Sequence, residues 1–359
     1  PNKFRELCRE YALTQVEKQK NDFKRLGVLG DWDNPYLTIN FSTEANIVRA
    51  LAKIYEKGFL YQGSKPVHWC IDCASALAEA EVEYEDKSSP AIDVEFNCVN
   101  SRDIASIFKV KKLDSVSAII WTTTPWTLPA NEAISVNPKF KYGLYESNSK
   151  FFILAEELAD IRFKTYKLPA KKVASCKGDE LEGLLFSHPF IEKSVPIICG
   201  DHVTTETGTG LVHTAPAHGL DDYIVGIKYK LPVENPVDAN GKFKKNVPIF
   251  SGLTVWDANS KIIDVLKSKN LLVHEENFVH SYPHCWRHRT PIIFIATQQW
   301  FIGMEHKHTD KISLRELVKE AVTKTKFYPE WGKKRLESMI ESRPDWCISR
   351  QRSWGVPIP

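Results

Sequence analysis

Three successive threonines at the end of an apolar run are the first residues that suggest chemistry. The stretch 121–131, WTTTPWTLPAN, follows the apolar run 116–120 and is rich in hydroxyl groups and indole rings. β-branched residues favour an extended backbone, whereas Pro125 and Pro129 cannot donate to a central strand ladder. We therefore expect a strand that ends near Thr124, followed by a rigid corner that presents hydroxyls to a small polar ligand. The alternative is a strand end covered by an aromatic plug.

A second polar segment, GTGLVHTAPAHGLDDY at 208–223, combines glycines, histidines and two aspartates. It is not a dinucleotide fingerprint, because a third glycine is missing at the required spacing and prolines block an immediate helix. Gly208 and Gly210 would let the backbone approach closely before a short strand that ends near His213. We expect a helix to start near Asp222. Its carboxylate would either cap that helix or bind a substrate ammonium, with His213 shaping or polarising the pocket.

Two distant turns carry cysteine and histidine at the spacing of a metal site. Cys70 and Cys73 form a CxxC pair, and the segment HCWRH that starts at His284 offers one cysteine and two histidines. A tetrahedral Cys3His zinc site would join the turns, with Cys285 and either His288 or His284 as its third and fourth ligands. The alternative is an aromatic-rich turn that contains a core histidine.

The closing segment WCISRQRSWGVPIP combines basic and aromatic residues. Arg350 and Arg352 are suited to RNA phosphates, and Trp346 and Trp354 are suited to stacking on bases or on a nucleotide. The alternative is a surface loop held by cation–π packing.

Apolar periodicity predicts the elements that position these groups. Between about 90 and 275, short β-rich runs alternate with Gly, Pro, Asn and Asp, which predicts a β-dominated region between two mainly helical flanks. The helices predicted from apolar spacing and end signals are 4–26, 43–57, 221–229, 258–267, 312–326 and 331–342.

The composition is that of an ordinary globular protein. The 359 residues are 43% hydrophobic and 26% charged, with a formal net charge of +3. This length predicts two or three domains, and the small charge does not by itself require a nucleic acid. No apolar run reaches the roughly 20 residues of a membrane span and no signal peptide opens the chain, so we expect a cytoplasmic protein with no membrane partner. The eight cysteines are scattered, which predicts reduced thiols apart from a metal site.

Five segments together resemble one family and occur in that family's order. They are KPVHWCIDCASALAEAEVEYEDK, WTTTPWTLPAN, GTGLVHTAPAHGLDDY, SYPHCWRHRTPIIFIATQQWF and RPDWCISRQRSWGVPIP. The chain resembles, over essentially its whole length, the bacterial-type isoleucyl-tRNA synthetases of class I. In the related valyl and leucyl enzymes an arginine typically precedes the proline of the threonine-rich peptide and an acidic residue follows it. Here Thr124 precedes Pro125 and Trp126 follows, which favours the isoleucyl group.

The resemblance implies an α/β fold in which a β-barrel-like editing domain interrupts a Rossmann catalytic core. Residues 1–88 would be a flank from that core including the CxxC turn, 89–279 the editing insertion, and 280–359 the return segment into the core. The HIGH and KMSKS signatures needed for ATP-dependent activation would lie before Pro1 and after Pro359. We therefore expect a fragment that does not aminoacylate tRNA.

The resemblance also implies roles for residues of both polar segments. The threonine corner would hold the terminal adenosine and the aminoacyl ester, His213 would limit side-chain size, and Asp222 would pair with the α-ammonium. The expected catalytic residues are Thr122, Thr123, Thr124 and Asp222, and the expected substrate-binding residues are Trp121, Thr127, Asn131 and His213. No cysteine nucleophile is expected, because Cys98, Cys176 and Cys199 lack a recognisable histidine partner. An ordered water is therefore the expected attacking group.

The implied activity is hydrolysis of mischarged Val-tRNA(Ile), whereas the longer enzyme joins isoleucine to tRNA(Ile) with ATP and magnesium. The expected partner is the acceptor end of tRNA(Ile) carrying valine or isoleucine, and the expected state is a monomer. Editing itself would need no cofactor, and zinc would be structural. The alternatives are the editing domain of a valyl- or leucyl-tRNA synthetase, or a tRNA-binding segment without catalysis.

Overall fold

The structure, a computed structural model, describes residues 2–307 and 312–359. It divides into two compact units, one formed by Pro1–Gly63 with Gln299–Pro359 and the other by Ser64–Gln298. The division of the chain into 1–88, 89–279 and 280–359 stays a prediction. No helix of the described residues is both long enough and apolar enough to cross a membrane.

The six helices predicted from the sequence are confirmed, each with ends displaced by no more than a few residues. Two short helices inside the β-rich region, Ser101–Ile107 and Glu156–Tyr166, were not predicted, because their apolar residues do not extend over enough turns to show a helical period. The helices of the described residues are α1 (Asn2–Arg25), α2 (Phe41–Glu56), α3 (Ser101–Ile107), α4 (Glu156–Tyr166), α5 (Leu220–Lys228), α6 (Val255–Ser268), α7 (Leu314–Lys324) and α8 (Trp331–Ser342).

Most strands lie in the unit Ser64–Gln298, as the β-rich texture predicted. The strands are β1 (Leu60–Cys70), β2 (Ser75–Leu77), β3 (Val82–Asn97), β4 (Val116–Thr122), β5 (Ala133–Val136), β6 (Lys141–Ser147), β7 (Lys150–Ala155), β8 (Lys171–Lys177), β9 (Leu185–Ser187), β10 (Ser194–Cys199), β11 (Leu211–Thr214), β12 (Leu272–Cys285), β13 (Ile293–Ile302) and β14 (Trp346–Cys347).

The larger sheet of this unit has the strand order β12-β3-β4-β7-β6-β8. Its strand β4 pairs antiparallel with β3, with Ile92 opposite Thr122, and parallel with β7. Residues 116–120 of β4, including Ile119 and Ile120, are buried, which explains their apolar run. Burial of this strand fixes the position of the threonines that follow it.

The strand ends at Thr122, two residues earlier than predicted. The Thr122 Oγ1 atom accepts a hydrogen bond from the Thr124 backbone N–H at 3.1 Å, which turns the chain away from the sheet. A 3-10 helix, Pro125–Ala130, follows directly and begins with proline. Proline suits this first position, because its missing donor would have no helical partner there.

A second sheet, in the order β11-β5-β10-β9, places the other polar segment. Strand β11 pairs antiparallel with β5, and His213 lies opposite Ile134. The two polar segments are therefore each fixed by a buried strand of the same unit.

The predicted α/β fold class with a β-rich central region is confirmed. Among the described strands, neither the six-stranded nor the four-stranded sheet described above closes into a barrel.

Candidate functional site

A cavity of about 260 Å³ lies between the threonine corner, strand β11 and the first turn of α5. It is lined by seven of the eight residues that the sequence predicted for catalysis or substrate binding, namely Trp121, Thr122, Thr123, Thr124, Thr127, His213 and Asp222. Two segments about 85 residues apart in sequence thus meet at one hollow, which neither segment shows by itself.

Three threonine hydroxyls form a short chain along one wall. The Oγ1 atoms of Thr122 and Thr124 lie 3.2 Å apart, and those of Thr124 and Thr127 lie 3.4 Å apart. Thr127 Oγ1 also donates to the Thr124 carbonyl at 2.8 Å. Since each hydroxyl can both donate and accept, this wall can hold a water or a ligand oxygen in a fixed place.

His213 closes the wall as a neutral imidazole. Burial lowers its pKa to about 3, with further lowering by His188 and His218. Its Nε2 lies 2.8 Å from Thr127 Oγ1. Since that hydroxyl already donates to the Thr124 carbonyl, the network assigns the proton to Nε2, which donates to Thr127. His213 is therefore suited to shape the cavity and not to act as a general base near pH 7.

Asn131 lies behind this wall. It is fully buried, is not among the residues that line the cavity, and its Nδ2 lies 3.4 Å from His213 Nδ1 and donates to the Ala133 carbonyl at 2.8 Å. Its contact with the imidazole fits the tautomer assigned above, with Nδ1 as the acceptor. Asn131 thus positions His213, whereas the sequence predicted that it lines the pocket.

Asp222 supplies the one carboxylate of the cavity lining. It lies in the first turn of α5, but its Oδ2 accepts from the Ala215 N–H at 2.9 Å and does not cap the helix, whose Ncap residue is Gly219. Burial raises the pKa of Asp222 to about 6, against the lowering by that hydrogen bond. Within the described residues Asp222 forms no ion pair, so a ligand cation would find an uncompensated carboxylate.

Gly208 and Gly210 allow the close backbone approach that the sequence predicted. Both have positive φ, +77° and +76°. A Cβ on Gly210 would lie 2.3 Å from Ala155 Cβ, and one on Gly208 would lie 3.2 Å from Trp121. Any larger residue at Gly208 or Gly210 would therefore displace the backbone that lines this side of the cavity.

Sequence reasoning missed several residues of the lining. His202, Thr209 and His218 also face the cavity, and His218 Nδ1 is 2.9 Å from the Phe294 carbonyl. The only available signal was that His218 and Thr209 lie inside the polar segment 208–223, whereas His202 lies in a loop with no motif.

The four predicted metal ligands converge. Potential ligand atoms of Cys70, Cys73, Cys285 and His288 all lie within 4.8 Å of one another. The Sγ atoms of Cys73 and Cys285 are 4.0 Å apart, and His288 Nδ1 is 3.2 Å from the Cys73 sulfur. A tetrahedral ion with bonds of about 2.3 Å to sulfur would separate its ligands by about 3.8 Å, so this donor set fits such an ion.

The two histidines of HCWRH differ in position. His284 Nδ1 lies 2.8 Å from the Tyr282 carbonyl and is outside the cluster, whereas His288 is inside it. The cluster is therefore the Cys3His set with His288.

The basic closing segment belongs to the other unit. Arg350 donates to the Cys347 and Ser349 carbonyls, and Trp346 is exposed. A role of this segment in RNA contact stays a prediction.

Comparison with known proteins places the chain in a family. The description "tRNA synthetases class I (I, L, M and V)" matches residues 1–359. The chain belongs to this family. It is 58% identical to the isoleucine–tRNA ligase of Dechloromonas aromatica (strain RCB), over 100% of this chain and 39% of the relative. It is 54% identical to the one of Nitrosomonas europaea, over 99% and 39%. The chain thus spans about two fifths of the length of the curated relatives that it matches.

Solved structures of synthetase segments are similar over part of the chain. The crystal structure of GlLeuRS-CP1 matches with a TM-score of 0.43 and 17% identity, over 52% of this chain and 98% of that one. The Plasmodium knowlesi cytosolic leucyl-tRNA synthetase editing domain matches with a TM-score of 0.41 and 12% identity, over 54% and 97%.

Proposed function

We propose that the chain hydrolyses the aminoacyl ester of Val-tRNA(Ile), as an editing segment of an isoleucyl-tRNA synthetase. The observation that carries this proposal is the convergence of the threonine hydroxyls, His213 and Asp222 on one small cavity. That cavity offers a cation partner, a wall of uncharged polar groups and limited room, which are the features an aminoacyl ester requires. The resemblance to isoleucyl-tRNA synthetases supports the same activity.

Asp222 binds the free α-ammonium of the substrate. Its half-buried carboxylate has one hydrogen bond, from Ala215, and no cation within the described residues. A bound ammonium would offset the desolvation of that charge and hold its pKa down. The interaction distinguishes an aminoacyl ester from esters without an amine, and it places the carbonyl relative to the threonine wall.

His213 limits the size of the amino-acid side chain. Thr127 and Asn131 fix its ring on both nitrogens, so the wall cannot yield easily to one extra methylene. Isoleucyl enzymes are themselves the standard illustration of why a second site is needed, because a hydrophobic pocket rejects the smaller valine by only about 1–3 kcal/mol. A cavity that admits valine and excludes isoleucine would remove the error.

An ordered water attacks the ester carbonyl. The neutral hydroxyls of Thr122, Thr124 and Thr127 can orient it, and the free ribose hydroxyl of the substrate can take part in proton transfer. His213 stays protonated on Nε2 only, so it orients Thr127 and takes no proton. An aminoacyl ester is activated, so positioning and hydrogen-bond stabilisation of the developing oxyanion supply the catalysis that we propose.

We further propose that the Cys3His cluster holds a structural zinc ion. Cys70 ends β1 and Cys73 lies in the turn after it, and Cys285 ends β12 with His288 in the turn after it. The ion would therefore join two turns of the unit that carries the cavity. ATP and magnesium would serve only the joining reaction of the longer protein. The cytoplasmic location and the monomeric state stay predictions.

Deacylation of a panel of purified aminoacyl-tRNAs tests the proposed function. We expect rapid hydrolysis of Val-tRNA(Ile) and little of Ile-tRNA(Ile). Preferential hydrolysis of Thr-tRNA(Val) would indicate a valyl editing domain, and preferential hydrolysis of a mischarged tRNA(Leu) a leucyl one. Binding of a nonhydrolysable valyl-adenosine analogue without any turnover would indicate a tRNA-binding segment and would contradict the proposal.

A further inference from the structure

A second cavity, of about 400 Å³, shares the threonine corner with the first. Thr123 and Thr124 line both cavities. The second cavity, which we call the lysine cavity, is further lined by Lys87, Ser88 and Ser89 of β3, Trp256 and Asn259 of α6, and Tyr282 of β12. None of these further residues lines the first cavity.

Lys87 gives this cavity a positive charge in a fixed place. Its Nζ lies 4.0 Å from the centroid of the Trp256 ring and 4.3 Å from that of Tyr282. Burial lowers the pKa of Lys87. Within residues 2–307 and 312–359 no carboxylate pairs with it, so its charge is balanced only by the two aromatic faces. An anion that reached the cavity would therefore gain a preorganised ammonium partner.

The residue opposite Lys87 in the strand pair, His280, adds no charge to the cavity near pH 7. His280 is the cross-strand partner of Lys87, and its Nε2 lies 3.1 Å from Ser89 Oγ. Burial and then the charge of Lys87 lower the pKa of His280, so the imidazole is neutral near pH 7. Lys87 is therefore the charged group on this side of the lysine cavity.

The wall between the cavities is held on both sides. Asn259 Oδ1 accepts from the Trp126 backbone N–H at 3.0 Å, which ties α6 to the turn after the threonines. Trp126 is buried and lines the lysine cavity. A ligand that occupied both cavities would thus span a rigid corner.

We propose that the lysine cavity holds the nucleotide preceding the terminal adenosine of the acceptor strand, with its phosphodiester on Lys87. This inference rests on the proposed function, because it needs the esterified adenosine in the first cavity. Single strands are bound by a cation that contacts the backbone together with aromatic surfaces that contact bases or sugars. Lys87 and the half-buried Trp256 supply both, whereas Tyr282 is buried and packs against the lysine. The shared threonine wall then separates recognition of the ester from recognition of the strand.

Kinetics on two substrates test this inference. Lys87→Gln is compared with Lys87→Arg, which keeps the charge, and with Lys261→Gln, which removes an exposed lysine of the same helix as Trp256. The substrates are Val-tRNA(Ile) and valyl-adenosine, which has no phosphodiester. For Lys87→Gln we expect kcat/KM on Val-tRNA(Ile) to fall about tenfold, chiefly through KM, and kcat/KM on valyl-adenosine to change about twofold or less. Lys87→Arg should keep most of the wild-type value, and Lys261→Gln should match the wild type.

Binding provides a readout that does not require hydrolysis. The affinity for an oligoribonucleotide that has the acceptor-end sequence and carries no amino acid is measured by fluorescence anisotropy over a range of salt concentrations. Lys87→Gln should weaken binding and reduce the slope of log affinity against log salt by about one.

The outcomes separate this inference from the proposed function. Equal losses on both substrates, or no loss on either, would overturn the role of Lys87 in strand binding. An unchanged salt slope would overturn it as well. If the wild-type chain hydrolysed neither substrate, the proposed function would fail, and the anisotropy result alone would decide whether Lys87 binds the strand.

Discussion

The threonine cavity and the Cys3His cluster lie in the same unit and are both built from segments far apart in sequence, but their polar groups differ in how completely they are satisfied. In the cluster, four donor atoms face one another within 4.8 Å and leave room for one small ion. In the cavity, the hydroxyls and the carboxylate have protein partners on one side and an open hollow of about 260 Å³ on the other. The first arrangement is suited to holding a structure together, and the second to receiving a ligand.

The two sites should therefore respond differently to substitution. Loss of a cluster ligand should reduce stability and leave the hydrolysis unchanged, because none of the four cluster residues lines the cavity. Loss of a cavity residue should reduce the chemistry and leave the fold intact. Single substitutions at the two sites test that separation, and the largest effect is expected at the Asp222 carboxylate.

Asp222→Ala should abolish deacylation of Val-tRNA(Ile). Removal of a charge that the bound substrate cation would enclose in the cavity costs about 3 kcal/mol or more, which corresponds to a loss of at least about 100-fold in kcat/KM. Single-turnover deacylation measures it, and Asp221→Ala, at the neighbouring exposed aspartate, is the matched control. If Asp222→Ala deacylated Val-tRNA(Ile) at the wild-type rate, Asp222 would not be the residue that binds the substrate ammonium.

Cys73→Ser should release the metal and lower stability. Elemental analysis of the purified wild type should show one zinc per chain, and the variant should show none. We expect the free energy of unfolding to fall by roughly 3 kcal/mol or more, because ion binding contributes to folding.

Deacylation by Cys73→Ser below its melting temperature should stay close to that of the wild type. Cys199→Ser, at a buried cysteine outside the cluster, should keep the metal. A wild type without zinc, or a metal-free variant of unchanged stability, would refute a structural ion.

His213→Ala should allow hydrolysis of Ile-tRNA(Ile). Removing the imidazole enlarges the cavity by more than a methylene, and the selectivity of such a wall is about 1–3 kcal/mol, so we expect at least about a tenfold increase on the isoleucyl ester. The ratio of Val-tRNA(Ile) to Ile-tRNA(Ile) deacylation rates measures it. His274→Ala, at a histidine that does not line the cavity, should leave the ratio unchanged; an unchanged ratio in His213→Ala would place the size limit elsewhere.

The pH dependence should follow the raised pKa of Asp222. Only the carboxylate pairs with an ammonium, so kcat/KM should fall as the pH drops through about 6. Asp222→Asn should lack this acid limb. If kcat/KM of the wild type stayed constant over roughly pH 5 to 7, the range of this transition, the role of the carboxylate would be contradicted.

The same group has the opposite effect on stability. Its pKa in the folded protein lies above the ordinary 3.8, so the folded state binds the proton more tightly than the unfolded state does. Its contribution to stability is present in acid and is lost as the pH rises from about 4 to about 6. We therefore expect Asp222→Asn to be more stable than the wild type at pH 7, by about 1–3 kcal/mol, and chemical denaturation at pH 4 and pH 7 measures the difference.

The sequence predicted much of the fold because the signals are local. The buried run before Thr122 and the apolar spacing of α6 each identify an element without long-range information. The end of β4 was misplaced by two residues, because the Thr122 side chain, and not a sheet partner, takes the Thr124 N–H.

The sequence predicted the site less completely, because a cavity lining depends on which loops meet. Asn131 is close to the threonines in sequence but turns behind His213, whereas His202 reaches the cavity from a loop without a motif. Lys87 was missed because a lysine within a strand carries no local sign that two aromatic rings from β12 and α6 will lie against it.

A crystal structure of the chain with a nonhydrolysable valyl-adenosine analogue would show directly whether the substrate binds in the threonine cavity. We expect the ammonium to lie within hydrogen-bond distance of the Asp222 carboxylate, with the isopropyl group against the His213 ring and the ester position next to the threonine hydroxyls. An analogue bound outside this cavity, or one whose ammonium points away from Asp222, would contradict it.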